Sequence, residues 1–133
     1  RDWSSDVCSS DLEREGRREL ANDLAGALMN RGVSLDSLGR LEEALAAYEE
    51  AIGILRRLVE REGRRELAND LALVLYNLAY AVKAQGNLTE ACQAAKEARS
   101  LWAGLVANGW SHLAGDLKDA QALVAELGCP EID

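Results

Sequence analysis

Apolar residues recur at three- and four-residue steps along most of the chain. Leu67, Leu71, Val74, Leu75, Leu78 and Val82 fall on one face of a helix. Leu88, Ala91, Cys92, Ala95, Ala98, Trp102 and Leu105 do the same in the next stretch. Gly86 between them predicts a left-handed helix end. Asn87 or Thr89 can cap the helix that follows, and Glu90 sits where the helix dipole favours a negative charge. Gly39 with Glu42 and Glu43 has the same part earlier in the chain. The pattern predicts helices at about 17–38, 41–61, 64–85, 88–107 and 111–127, with Gly16, Gly63 and Gly109 at joins. Cys129-Pro130 is expected to close the last helix, because proline disfavours a helical residue before it. Ala and Leu supply 44 of the 133 residues and Val and Ile are few, so the expected class is all-α.

A duplication organises these helices. The word REGRRELANDLA at Arg14–Ala25 returns unchanged at Arg61–Ala72, a period of 47 residues. The register then holds: Gly39 falls on Gly86, Leu41 on Leu88, Glu43 on Glu90 and Ala51 on Ala98. A third, degraded copy begins near Gly109, where Leu113, Asp116 and Leu117 fall on Leu67, Asp70 and Leu71 after a one-residue deletion. The expected units are about 14–60, 61–107 and a partial 108–128, each of the full units being a helix pair. A lone pair cannot bury its apolar stripe, so the units must stack. Small residues at Ala44, Ala47, Ala51, Ala91, Ala94, Ala95 and Ala98 allow close approach, and Leu55 and Trp102 are bulky plugs at equivalent places. The expectation is an α-solenoid of about two and a half repeats.

The framework residues resemble the tetratricopeptide repeat. Unit one supplies Leu28, Gly32, Leu35, Gly39, Ala44, Tyr48 and Ala51; unit two supplies Leu75, Leu78-Ala79, Val82, Gly86, Ala91, Ala95 and Ala98. The stretch GRLEEALAAYEEA from Gly39 to Ala51 is the most specific part. The sequence departs from the family at Arg31, where Leu is preferred, at Ala95, where an aromatic is usual, and in its period of 47 rather than about 34. The long period looks like the repeats of kinesin light chains and of large bacterial signalling proteins. The resemblance implies binding rather than chemistry: the family's first helices line a concave groove that holds a peptide, a helix or a partner domain. Carried onto this sequence, the groove positions are Met29, Asn30, Val33 and Asp36 in unit one and Tyr76, Asn77, Tyr80 and Lys83 in unit two. Tyr76 and Tyr80 are one turn apart and share a face; they line the groove or else only pack on an adjacent helix. Lys83 is expected opposite Asp36, which suits a ligand with charges of both signs. Asn77 matches one member of the family's carboxylate clamp, but Met29 and Val33 are neither Lys nor Asn, so a chaperone tail is not the expected ligand. The alternative is a spacer or oligomerisation segment whose groove stays empty.

Charge and chemistry narrow this further. The net charge of −8 makes the chain a poor candidate for nucleic acid or an anionic membrane. No apolar run approaches the ~18 residues of a membrane span. No Gly-rich phosphate loop and no His/Cys cluster for zinc is present, so no cofactor or metal is expected. His112 is the only histidine and is expected as a solvated first-turn residue, which leaves no triad and no enzyme. Cys8, Cys92 and Cys129 show no convincing disulfide pattern; Cys92 is expected as a small core residue, Cys129 as an exposed one, and a reducing cytoplasm as the compartment. Asp2–Leu12, DWSSDVCSSDL, resembles the translation of a common sequencing adapter. Residues 1–12 are therefore expected to be a non-native or disordered tail that packs on nothing, ahead of a repeat domain at 13–133. On that reading the chain is a fragment of a larger bacterial signalling or scaffold protein.

Overall fold

The computed structural model describes residues 6–61 and 67–130, with side chains described from residue 16 onward apart from 17 and 18. Helix α1 spans Asp6–Ser37, α2 Leu41–Arg56, α3 Ala68–Ala84, α4 Leu88–Ala107 and α5 Ala114–Leu127. One turn of π-helix, Arg57–Arg61, carries α2 to the expected end, and a 3-10 turn, Ser111–Leu113, leads into α5. No strand occurs among the described residues. α1 packs on α2, α2 on α3, α3 on α4 and α4 on α5, with a lighter contact between α1 and α3. α1 and α5 do not form a packed pair, so the helices stack as an open solenoid and do not close into a bundle. The buried side chains, Ala47 and Cys92 apart, form one continuous cluster running from Ala25 to Val124, and no polar or charged side chain among the described residues is buried in it.

Two boundaries differ from expectation. α1 begins at Asp6 rather than near 17, and Gly16 lies within it instead of at a join. A single glycine costs a helix only about 1 kcal/mol relative to alanine, and the flanking Glu and Arg residues are good helix formers. The expectation that residues 1–12 pack on nothing concerns side chains outside the described residues, as does the join at Gly63. At the other end, Gly128 stops α5 in place of Cys129-Pro130. Its φ of +67° is a left-handed cap, with the Gly128 N–H donating to the Ala125 carbonyl and the Cys129 N–H to Val124.

The other helix ends are as expected in both units: Gly39 and Gly86 are left-handed at φ +81° and +86°, and Glu42, Glu43 and Glu90 lie in first turns; the N-cap side chain differs. Asn87 Oδ1 accepts from the Glu90 N–H at 3.2 Å while its Nδ2 donates to Glu90 Oε1 at 3.0 Å, a reciprocal box. The corresponding residue in unit one is Arg40, which cannot accept; it ion-pairs instead with Glu43, Nε to Oε1 at 2.5 Å.

The cysteines correct the sequence reading. Cys92 and Cys129 are joined by a disulfide across Cα atoms 5.6 Å apart, within the span that a bridge requires. The antiparallel return of α5 carries residue 129 back beside the start of α4, a proximity that a separation of 37 residues does not advertise. The adjacent Lys96 Nζ donates to the Pro130 carbonyl at 2.7 Å.

Packing inside the two units is solved differently. In unit one Gly32 faces the buried Tyr48 ring: a Cβ at position 32 would stand 2.5 Å from Tyr48 Cε1. The equivalent positions in unit two are Ala79 and Ala95, both fully buried. The large–nothing pair of one unit becomes a small–small pair in the next. Gly32→Ala is therefore expected to destabilise the protein by about 1–3 kcal/mol through overpacking, in spite of its gain in helix propensity. Gly53→Ala, where nothing lies within 4 Å of the added carbon, is expected to stabilise by up to ~1 kcal/mol. Urea midpoints that shift in the same direction for the two variants would show that the Tyr48 ring yields freely.

Candidate functional site

The first helices of the units, α1 and α3, carry the eight candidate groove residues. On α1, Met29 is half-buried against the core and Asn30 is exposed, and both line a cleft of about 460 Å3 with Asn22, Asp23, Asp70 and Val74. Val33 is exposed and Asp36 half-buried one and two turns on. Burial of the Tyr48 ring, and secondly the charge of Asp36, raise the Tyr48 phenol above its ordinary value. Burial likewise raises the Asp70 carboxyl, because taking a carboxylate out of water disfavours its charged form.

On α3 the residues form a linked chain. The Tyr76 and Tyr80 rings meet edge-on, centroids 5.1 Å apart at 76°, and their hydroxyls lie 3.3 Å apart. Tyr76 also meets Trp102 of α4 edge-on at 5.8 Å. Tyr76 thus packs on the neighbouring helix and is half-buried, whereas Tyr80 is exposed. The Tyr76 phenol is raised strongly, first by burial, then by the Tyr80 hydrogen bond and charge, and then by Asp119 and Glu126 of α5. Lys83 Nζ stands 5.7 Å from the Tyr80 ring centroid and ion-pairs with Glu126. The expected opposition of Lys83 and Asp36 is therefore replaced by a bond within the chain: α5 places a carboxylate closer to Lys83 than α1 does. Asn77 is half-buried beside this chain.

Two clusters result: Met29 and Asn30 in the cleft, and Tyr76, Tyr80 and Lys83 on α3. No hydrogen bond, ion pair or ring contact among the described residues joins one cluster to the other. Sequence reasoning missed Asp119 and Glu126, because the third copy is degraded where they fall. It also missed Asp23 and Asp70 as cleft residues, although they stand at equivalent places in the repeated word. A larger hollow, about 720 Å3, lies away from both clusters, between Leu88, Gln93 and Lys96 of α4 and Leu127 and Pro130 at the end of α5. His112 is exposed and lies against Trp110, with ring centroids 5.8 Å apart. No group of three or more His, Cys, Asp or Glu among the described residues is placed to hold a metal ion. No helix among them is long and apolar enough to cross a membrane.

Residues 25–55 match the family model described as tetratricopeptide repeat. The match takes in α1 from Ala25 to its end and α2 up to Leu55, and it stops short of the π turn, so the extra length of the 47-residue unit lies outside it. No curated protein matches the chain, and no solved structure does.

Proposed function

We propose, from the premise that residues 25–55 form a tetratricopeptide repeat, that the chain is a non-catalytic interaction module and that its first-helix face holds a peptide or helix of a partner protein. The observation that carries this reading is the run of half-exposed aromatic and polar side chains on that face: Tyr76, Tyr80 and Lys83 on α3, with the Met29–Asn30 cleft beside them on α1. A tyrosine supplies flat apolar area and a hydroxyl at its tip, and the amides of Asn30 and Asn77 can both donate to and accept from a peptide backbone. Lys83 is already paired with Glu126, so the surface asks less for an acidic ligand than its lone lysine suggests.

The reading places the module within a larger signalling or scaffold protein. A cytoplasmic setting no longer follows from the cysteines, because two of the three are bonded to each other and such bonds persist in oxidising compartments.

A photo-crosslinking amino acid placed at position 80, with a control at the outer, exposed position 49, identifies the partner; its affinity is then compared between wild type and the double variant Tyr76→Ala, Tyr80→Ala. Aromatic anchors commonly supply ~2 kcal/mol each, so a loss of roughly thirtyfold is expected for either tyrosine alone and up to roughly a thousandfold for the pair, with the helical circular-dichroism signal kept. Wild-type affinity in the double variant would leave the spacer reading in its place.

A further inference from the structure

The last turn of α5 is held differently from the rest of the helix. Ala120, Leu123 and Val124 are buried, and past Val124 no described side chain is. Leu127 and Cys129 are only half-buried. Two ties to α4 remain there: the bond from Cys129 to Cys92 and the hydrogen bond from Lys96 to the Pro130 carbonyl. Glu126 stands on this same turn. The helix dipole disfavours a carboxylate at a C-terminus, and no basic residue of α5 lies in the turn to offset it. The offset comes from Lys83, at the end of α3. Glu126 therefore faces the candidate groove: it pairs with Lys83, and its charge bears on the Tyr76 phenol.

We propose that the Cys92–Cys129 bond is a redox clamp on that groove: closed, it keeps Glu126 seated on Lys83; opened by a dithiol, it lets the last turn of α5 fray and leaves the Lys83 ammonium to a carboxylate of the partner. The proposal rests on the reading of the α3 face as the partner surface. Its chemistry is a thiol–disulfide exchange. The Sγ–Sγ bond takes two electrons and two protons from the dithiol, which leaves as its own cyclic disulfide, and the chain is left with two thiols. The bond is within reach of such a reductant, because Cys92 lines the hollow of about 720 Å3 whose neighbouring Thr89, Gln93 and Pro130 are exposed. Cys129 follows Glu126 by less than one helical turn, so nothing packed lies between the clamp and the carboxylate. An exposed ion pair contributes little by itself, so the Lys83–Glu126 contact does not replace the lost bond. Lys83 keeps its place, because α3 stays packed on α4. The groove then has two forms, one with its lysine taken up inside the chain and one with it on offer.

The first test needs no partner. Acetylation of Lys83 by acetic anhydride is read by mass spectrometry in a Cys8→Ser background, well below the melting temperature of the reduced chain. The exposed Lys118 of α5 is the internal reference. Dithiothreitol is expected to raise the relative reactivity of Lys83 about threefold. Amide exchange over Ala125–Cys129 should quicken roughly tenfold or more while Ala120–Val124 stays protected. Glu126→Gln should give the raised reactivity with the bond closed and no response to the dithiol, and Cys92→Ala with Cys129→Ala should behave as reduced throughout. The partner captured at position 80 should bind the reduced chain about threefold more tightly, a gain absent in Lys83→Gln. Lys83 reactivity that ignores the dithiol overturns the proposal whether or not Glu126→Gln raises it: either the turn stays seated, or the pair does not shield the amine. Exchange that quickens alike over all of α5 overturns it too, because the helix then leaves as a whole. So does a partner affinity blind to the bond. Failure of the groove reading looks different: alanine at Tyr76 and Tyr80 leaves affinity unchanged while Lys83 still answers to the dithiol.

Discussion

Trp102→Ala is expected to lower the unfolding free energy by about 3–5 kcal/mol, the range for a large aromatic removed from a packed interior. Trp102 is the largest fully buried side chain among the described residues. Its indole Nε1–H donates to Asn69 Oδ1 at 2.8 Å, which ties α4 to the first turn of α3, and its ring backs Tyr76. The alanine variant loses the cavity volume, the hydrogen bond and the support for Tyr76 together. Trp102→Phe keeps most of the ring and loses the bond, so it should cost visibly less than alanine. A urea midpoint for the alanine variant close to wild type, with the slope unchanged, would place the indole at the surface. Unit one offers the control: Leu55 stands where Trp102 does and cannot donate, and Asn22, the twin of Asn69, lines the open cleft.

Reducing the Cys92–Cys129 bond is expected to be the second large perturbation. The bridge closes a loop of sequence separation 37, and a loop of that length restricts the unfolded chain by about 3–4 kcal/mol. For a chain of this size that corresponds to a fall of roughly 10 °C or more in melting temperature on addition of dithiothreitol. A Cys8→Ser background keeps alternative pairings out of the experiment. Cys92→Ala with Cys129→Ala should melt near the reduced protein and should not respond to the dithiol. Oxidised and reduced samples that melt together would mean that α5 is held by its buried Ala120, Leu123 and Val124 and by the Lys83–Glu126 pair, with the bridge adding nothing.

The fold was legible because its signals are local. Leu41, Leu88, Ala107 and Leu127 were named as helix ends from the step of the apolar residues and the glycines beyond them, and the helices begin or stop there. The open stacking followed from a repeat too short to bury its own stripe. What escaped the sequence were relations made by the return of a later helix. Glu126 reaches Lys83, and Cys129 reaches Cys92, only because α5 folds back along α4, and no spacing in the chain encodes that approach. Asn69 was read as part of a duplicated word, and its bond to Trp102 is invisible there because the word is the same in a unit that lacks the indole. For the candidate groove, the stripe Tyr76, Tyr80, Lys83 was legible from helical spacing, whereas the ion pairing of Lys83 depended on α5. Helix α1 misled at Gly16, where one permissive residue was given more weight than its helix-forming neighbours.

The pairing of Gly32 with Tyr48 has a consequence for assembly of the chain. Helices α1 and α3 share the stretch ANDLA, at Ala21–Ala25 and Ala68–Ala72, so a folding chain can offer α3 to α2 where α1 belongs. In that misassembled isomer Ala79 would occupy the place of Gly32, and its methyl carbon would stand about where a Cβ meets the Tyr48 ring at 2.5–2.9 Å. The correct partner is distinguished by the lack of a single methyl group, about two turns after the point where the two sequences cease to be copies. The repeated stretch makes the two first helices alike where they begin, and the Tyr48 ring leaves room only for the one that carries glycine.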